Sequence, residues 1–184
     1  NRQIFFSEYR KNLDIDNRLT QKEVDSLNLF LDMTETSPVD FNIHEWAYIY
    51  ATVFHETQYT FDPVEEAFQL SDNWRKRNLK YYPYHGRGYV QITWKRNYQV
   101  FSKLLNLDLV KKPELAFLPD VAFKILTIGT KQGLFTGQNI SDHIRDGKIN
   151  YETARRVING NDKAVTIADY AKEFERIIKI CFKF

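Results

Sequence analysis

The stretch NIHEWAYIYATVFHET, residues 42–57, decides how the rest of the chain is read. Trp46, Ile49, Tyr50, Val53 and Phe54 recur at steps of three and four, the spacing of an apolar stripe on a helix, and the spacing predicts a buried helix. Its last residues, HET, start like a zinc-protease motif and do not complete it. That motif is H-E-x-x-H, with two histidines one turn apart on one metal. Position 59 is Tyr, so the metal reading is excluded. What remains is Glu56 at the end of an aromatic helix, followed about ten residues on by Glu65 and Glu66 in FDPVEEAF (61–68).

Working outward, LTQKEVDSLNLFLDM (19–33) carries Thr20 and Glu23 at capping-box spacing, with Val24, Leu27, Leu29, Phe30 and Leu31 as an apolar stripe. The preceding DIDNR puts Asp14 and Asp16 at the first and third positions of a calcium loop. The sixth position, where such loops turn on Gly, is Leu19, and the twelfth is Asp25 rather than Glu. A loop leading into the cap fits these acids better. Downstream, Pro63, Pro83 and HGRG (85–88) punctuate a loop-rich middle, and YVQIT (89–93) alternates like a strand, which predicts a small hairpin near 81–93. Helices are predicted again over 94–105, 118–133, 138–146, 150–158 and 164–180. The last has Ile167, Tyr170, Ala171, Phe174, Ile177 and Ile178 on one face. The expected fold class is mainly α, in a single domain over 1–184.

A chain of 184 residues with 43% apolar side chains can bury a substantial core. No apolar run approaches the ~20 residues of a membrane span. Its one cysteine, Cys181, cannot form an internal disulfide, and the sequence contains no charged-then-apolar leader segment with a small-residue cleavage site, which together lead to the expectation of synthesis in a reducing cytoplasm. The net charge of +2 conceals a polarised chain: residues 1–70 sum to −8, residues 71–131 to +8 and the remainder to +2. The basic middle is read either as a solvated face or as a surface for a polyanionic cell-wall polymer. Nucleic acid is set aside because the basic residues do not gather on one helix. No metal-ligand spacing occurs, so no cofactor is expected.

Hydrolysis of a glycosidic bond needs one protonated carboxyl to protonate the leaving oxygen and one carboxylate to activate water or attack carbon. Glu56, on an apolar helix beside Val53 and Phe54, is the candidate acid, because desolvation favours a neutral carboxyl. Glu65 or Glu66, in a more polar segment opened by Pro63, is the candidate base. HGRGYVQITWKRNY (85–98) adds Gly86 and Gly88 for close backbone approach and Arg87 as a rigid fork of donors. Gln91, Thr93 and Asn97 are interleaved there with Val90, Ile92 and Trp94. A strand here would point Gln91 and Thr93 to one side, on the floor of a cleft. Tyr59, Tyr81, Tyr82, Tyr84, Tyr89 and Trp94 offer flat faces to sugar rings or to ordinary packing. His55 precedes the acid and is a candidate for orienting it and contacting substrate. The competing class is a non-catalytic wall-binding module with structural carboxylates.

HET, GRGYVQIT followed by NY, and ARRVINGND (154–162), together with FFSEYRKNL (5–13) and PELAFLPDVAFKIL (113–126), resemble the family 19 glycoside hydrolases, especially the phage and prophage endolysins of that group. The resemblance implies a lysozyme-like, two-lobed helical fold and hydrolysis of β-1,4 linkages between N-acetylated sugars with inversion. It implies Glu56 as general acid, Glu66 or its neighbour Glu65 as base, and Thr93 as holder of the attacking water. Gln91 and Asn97 match sugar contacts, and Asn159 matches a residue lining the cleft. The implied substrate is the glycan strand of peptidoglycan, with chitin oligomers as the alternative. The implied protein is a monomer without membrane insertion, released from a bacterial host cytoplasm to act on the cell wall.

Overall fold

A computed structural model describes residues 1–14, 19–145 and 147–181. Asp16 of the calcium-loop reading therefore lies outside the described residues. In chain order the helices are α1 (Arg2–Asn12), α2 (Gln21–Glu35), α3 (Ile43–Glu56), α4 (Asp72–Asn78), α5 (Lys95–Leu105), α6 (Pro119–Gln132), α7 (Tyr151–Ala154), α8 (Arg156–Asn159) and α9 (Ala164–Cys181). The short strands β1 (Val64–Glu65) and β2 (Arg87–Gly88) pair antiparallel, as do β3 (Ile144–Arg145) and β4 (Lys148–Ile149). The architecture is mainly α, as expected.

The central helix starts where its sequence says it should. The Asn42 side chain accepts from the backbone N–H groups of His44 and Glu45, at 2.9 and 3.0 Å, and Glu45 Oε2 accepts from Asn42 N at 2.9 Å. This reciprocal box satisfies donors the helix cannot pair internally. Thr20 and Glu23 do the same for α2. Every residue of α3 from Glu45 to Phe54 is buried, and α9 packs along it, with Phe174 ring centroids 5.5 Å from Tyr50 and 5.6 Å from Phe54. Phe30 of α2 is the hub of the core, with Tyr50 at 5.0 Å and Phe61, Tyr89 and Phe123 each at 5.3 Å. Burying one such ring stabilises the fold by about 1.5–3 kcal/mol, before any gain from ring geometry.

A second, smaller cluster holds Ile92, Tyr98, Phe101, Leu109, Ala116, Val121 and Ile125. Helix α6 belongs to both: Ala122, Phe123 and Leu126 enter the large core, and Val121 and Ile125 the small one. Two lobes thus share one helix.

The middle of the chain departs from the sequence expectation. The strand falls at Arg87–Gly88, not at 89–93, and it pairs with Val64–Glu65. Residues 89–92 turn sharply, with Gln91 at φ +51°, and Ile92 bridges back to Arg87. The cause lies in two side chains. Gln91 Nε2 donates to Val64 O at 2.6 Å and Gly88 O at 3.2 Å, replacing ladder bonds that a third strand would make. Gly88, at φ +86°, brings backbone so close to Ala116 O and Ala122 that a Cβ would stand 3.0 and 3.2 Å from them. The helix expected over 138–146 is a 3-10 turn at Ile140–Asp142 followed by the β3–β4 hairpin, which turns at Gly147, φ +73°.

Candidate active site

Between the lobes lies an open cleft of about 390 Å³, lined by Glu56, Glu66, Tyr81, Gly86, Val90, Gln91, Ile92, Thr93, Asn97, Phe135, Ile158 and Asn159. Six of the residues singled out from the sequence are therefore on one wall or the other: Glu56, Glu66, Gln91, Thr93, Asn97 and Asn159. The end of α3 and the end of α8 supply Glu56 and Asn159, on the side of the large core. The β1–β2 region and the start of α5 supply the rest.

Glu56 does not occupy the apolar niche expected for it. Its Oε1 stands 2.7 Å from Arg155 Nη1, and Arg155, in the bend between α7 and α8, is almost wholly buried. The N–H directions of that nitrogen miss the oxygen, so the pair is a charge contact rather than an aligned hydrogen bond. Arg155 is fixed from behind by its Nε, which donates to Asp162 O at 2.9 Å. Tyr48, two turns before Glu56 on the same helix face, is pushed up to about 12 by burial and stays a neutral hydroxyl within reach of the pair's charges. Apolar groups do reach the cleft, as Val90, Ile92, Phe135 and Ile158, but they line it beside the ion pair and do not replace it. Arg155 was missed at the sequence level. The signal was present: in ARRVING, Ala154 and Val157 are core residues, so one of the two arginines between them must point inward and find an anion.

Glu66 is held quite differently. Tyr81 Oη donates to its Oε1 at 2.6 Å and Gly86 N to its Oε2 at 2.9 Å, while Glu66 N donates to Gly86 O at 2.8 Å. Both oxygens accept, neither faces a fixed cation, and the side chain opens on the cleft. The bond to Glu66 raises Tyr81 above its usual value, keeping the phenol a donor. Gly86 is small for a reason, since a Cβ there would come within 2.7 Å of Gln91 Oε1. Thr93 Oγ1 donates to Gln91 O at 3.0 Å, and Asn97 Nδ2 to Thr93 O at 2.7 Å. The Thr93 hydroxyl keeps its acceptor lone pairs for a water or sugar in the cleft.

Four expected site residues are placed elsewhere. Glu65, adjacent to Glu66 on β1, points to the opposite side, with its Oε1 2.9 Å from His85 Nε2 and 3.1 Å from Arg87 Nε, and its Oε2 3.7 Å from Arg75 Nη1. Glu66 lies just past β1, where its N–H still bonds Gly86 O, so the alternation continues one residue beyond the strand and turns the two side chains apart. Arg87 is buried and spends its other donor, Nη1, on Pro83 O and Tyr98 Oη. Tyr89 is buried against Phe30 in the large core. His55 flanks Glu56 in sequence but is not among the cleft-lining residues; burial holds it below its usual value, so it is neutral near pH 7.

The Glu65 cluster sets a pH dependence. Burial lowers His85 by more than its bond to Glu65 raises it. Burial alone would raise Glu65, but His85, Arg87 and Arg75 bring it below its usual value. A neutral His85 donating from Nε2 leaves its buried Nδ1 as a bare lone pair, the cheaper group to leave unmet. Below the ordinary histidine value of 6.5 the unfolded chain takes up a proton that folded His85 refuses. Below the ordinary glutamate value of 4.5 the same holds for Glu65, so stability falls as pH falls. His55 and His143, both lowered by burial, act in the first window too. Calorimetry should show the melting temperature dropping from about pH 7.5 to about pH 5, at about 2–4 °C per kcal/mol lost. The His85→Gln variant should drop less steeply; a flat or rising wild-type curve would contradict the assignment.

The chain superposes over 98% of its length on chitinase C of Streptomyces griseus HUT6037, with a TM-score of 0.59, 18% identity and 75% of that chain covered. A bacterial family 19 chitinase gives 0.58 at 20% identity, covering 97% of this chain and 94% of that one. The fold is that of the family 19 chitinases. In sequence, the basic endochitinase CHB4 of Brassica napus is 37% identical over 87 residues, 44% of this chain and 32% of that protein. An endochitinase of Arabidopsis thaliana is 34% identical over 105 residues, 52% of this chain and 39% of that protein. The chain spans well under half the length of these curated relatives. No protein-family model matches it. On this chitinase-type scaffold, the two lobes and the cleft between them are the features that the sequence resemblance implied.

Proposed function

We propose that the chain is an inverting glycoside hydrolase for β-1,4-linked polymers of N-acetylated amino sugars, with Glu56 as general acid and Glu66 as general base. The observation that carries this reading is that two carboxylates from different lobes, Glu56 at the end of α3 and Glu66 beside the β1–β2 pair, line one cleft together with Gln91, Thr93, Asn97 and Asn159. Substrate binding displaces water around Glu56, which supplies the proton to the leaving oxygen. Glu66 takes a proton from a water that Thr93 Oγ1 helps to hold, and that water attacks the anomeric carbon from the opposite face. An inverting pair needs ~6.5–9.5 Å between carboxyls to admit this water. Gln91, Asn97 and Asn159 contribute polar contacts along the strand. Glu65, turned away, positions the β1–β2 pair and takes no part in proton transfer.

The polymer proposed is the glycan strand of peptidoglycan, cut by a monomer that reaches the cell wall from the host cytoplasm. Chitin is the second reading, favoured by the names of the plant and bacterial relatives. Digestion of both polymers, analysed by mass spectrometry, tests the reaction class and the substrate together. Reducing-end products with a water's mass added are expected, as muropeptides from one polymer or chitooligosaccharides from the other. Anhydro products would replace the two-carboxylate mechanism with a one-acid transglycosylase, and no products from either would remove the enzyme reading.

A further inference from the structure

Trp94 combines three features that ordinary packing does not explain. It is a bulky residue at φ +73°, a backbone conformation that costs roughly 1–3 kcal/mol and persists where the surroundings impose it. Its N–H, donating to Tyr84 O at 2.9 Å, is part of what imposes it. Half of its surface is open to solvent. It also adjoins the cleft on two sides, following the cleft-lining Thr93 in the chain and meeting the cleft-lining Tyr81 edge to face, with centroids 5.1 Å apart. The Lys80 ammonium lies over the indole ring, 5.4 Å from its centroid, in a cation–π contact on that face. Among the described residues no carboxylate is within ion-pair distance of Lys80, in contrast to Arg75 on the same stretch, which reaches Glu65 and Asp72. Lys95 and Arg96, both exposed, follow on the first turn of α5.

We propose that Trp94 and Lys80 form a sugar-binding shelf that continues the cleft beyond Glu66 and is set for an acidic amino sugar, the indole packing on the apolar face of the ring and Lys80 meeting a carboxylate substituent on it. This rests on the hydrolase reading and deepens it, because a lactyl carboxylate, free wherever the sugar carries no stem peptide, distinguishes peptidoglycan glycan strands from chitin. An exposed indole supplies a broad apolar face at little cost in side-chain entropy. The nearby lysine, with no anionic partner of its own, adds a charge preference that salt screens. A neutral sugar polymer would use the indole and gain nothing from Lys80.

The test measures affinity by titration calorimetry in a Glu56→Gln background, so that strands are not consumed. Three probes are used: soluble peptidoglycan glycan strands freed of their stem peptides, the same strands with the lactyl carboxylate reduced to an alcohol, and chitin hexamer. Trp94→Ala should weaken binding of all three by about tenfold. Lys80→Met should weaken only the carboxylate-bearing strand, by about threefold, and lose that effect at high salt. The same fold-change in affinity for acidic and reduced strands on Lys80→Met at low salt, or no change for either, would overturn the acidic preference. Unchanged binding by Trp94→Ala would overturn the shelf. Because these titrations read affinity alone, absence of turnover by the wild type would count against the hydrolase reading and leave the binding contrast to be judged separately.

Discussion

Replacing Glu56 with Gln should reduce kcat by about 10²–10⁴-fold, the range expected for loss of a positioned general acid, with little change in KM. Gln fills the same space at the end of α3 and keeps a polar contact with Arg155, so the fold should persist, as judged by circular dichroism. It has no proton acidic enough to give the leaving oxygen. The ion pair with Arg155 makes the expectation demanding, because the acid is not protected by an apolar niche. Glu56 must take up a proton from solvent, its contact with Arg155 loosening, before the bound sugar chain excludes water from it. Activity within tenfold of wild type would mean that the proton comes from another group.

The second large effect is expected at Arg155. Its side chain is almost wholly buried, it faces Glu56 at 2.7 Å, and its Nε is committed to Asp162 O. Removing one partner of such a pair leaves a carboxylate against apolar surroundings, at a cost of about 3–5 kcal/mol when burial is complete. The Glu56 side chain is 20% exposed, so water recovers part of this and the low end applies. Arg155→Met should lower the melting temperature by about 6–12 °C and reduce kcat as well, since the acid loses its fixed position. Arg155→Lys should fall between the two, keeping a charge but losing the planar fork. A melting temperature within a degree of wild type for Arg155→Met would show that the pair holds nothing together.

Much of this was legible in the sequence because it followed from short-range rules. The capping box at Thr20, the apolar stripe of α3 and the face of α9 are local patterns that announce the element. Glu56, Glu66, Gln91, Thr93 and Asn97 were singled out by residue type and position and Asn159 by the family resemblance, and the structure gathers them on one cleft. What was not legible depended on side chains acting over distance. The alternation in YVQIT suggested a strand, but the Gln91 amide satisfies Val64 O directly and the backbone turns there instead. Which of Glu65 and Glu66 lines the cleft depends on the register of a two-residue strand, which places Arg87 and His85 on one side and Gly86 N on the other. Glu56 looked apolar from its helix neighbours, since its counter-ion is supplied from a position 99 residues away in sequence.

The central claim, that Glu56 and Glu66 work from opposite faces of one glycosidic bond, is tested most directly by proton NMR of the first-formed product on a β-1,4-linked oligosaccharide. The account predicts that the α-anomer appears first and equilibrates only later. Initial release of the β-anomer would show a double displacement with retention, and the assignment of Glu66 as a base acting on water would be wrong.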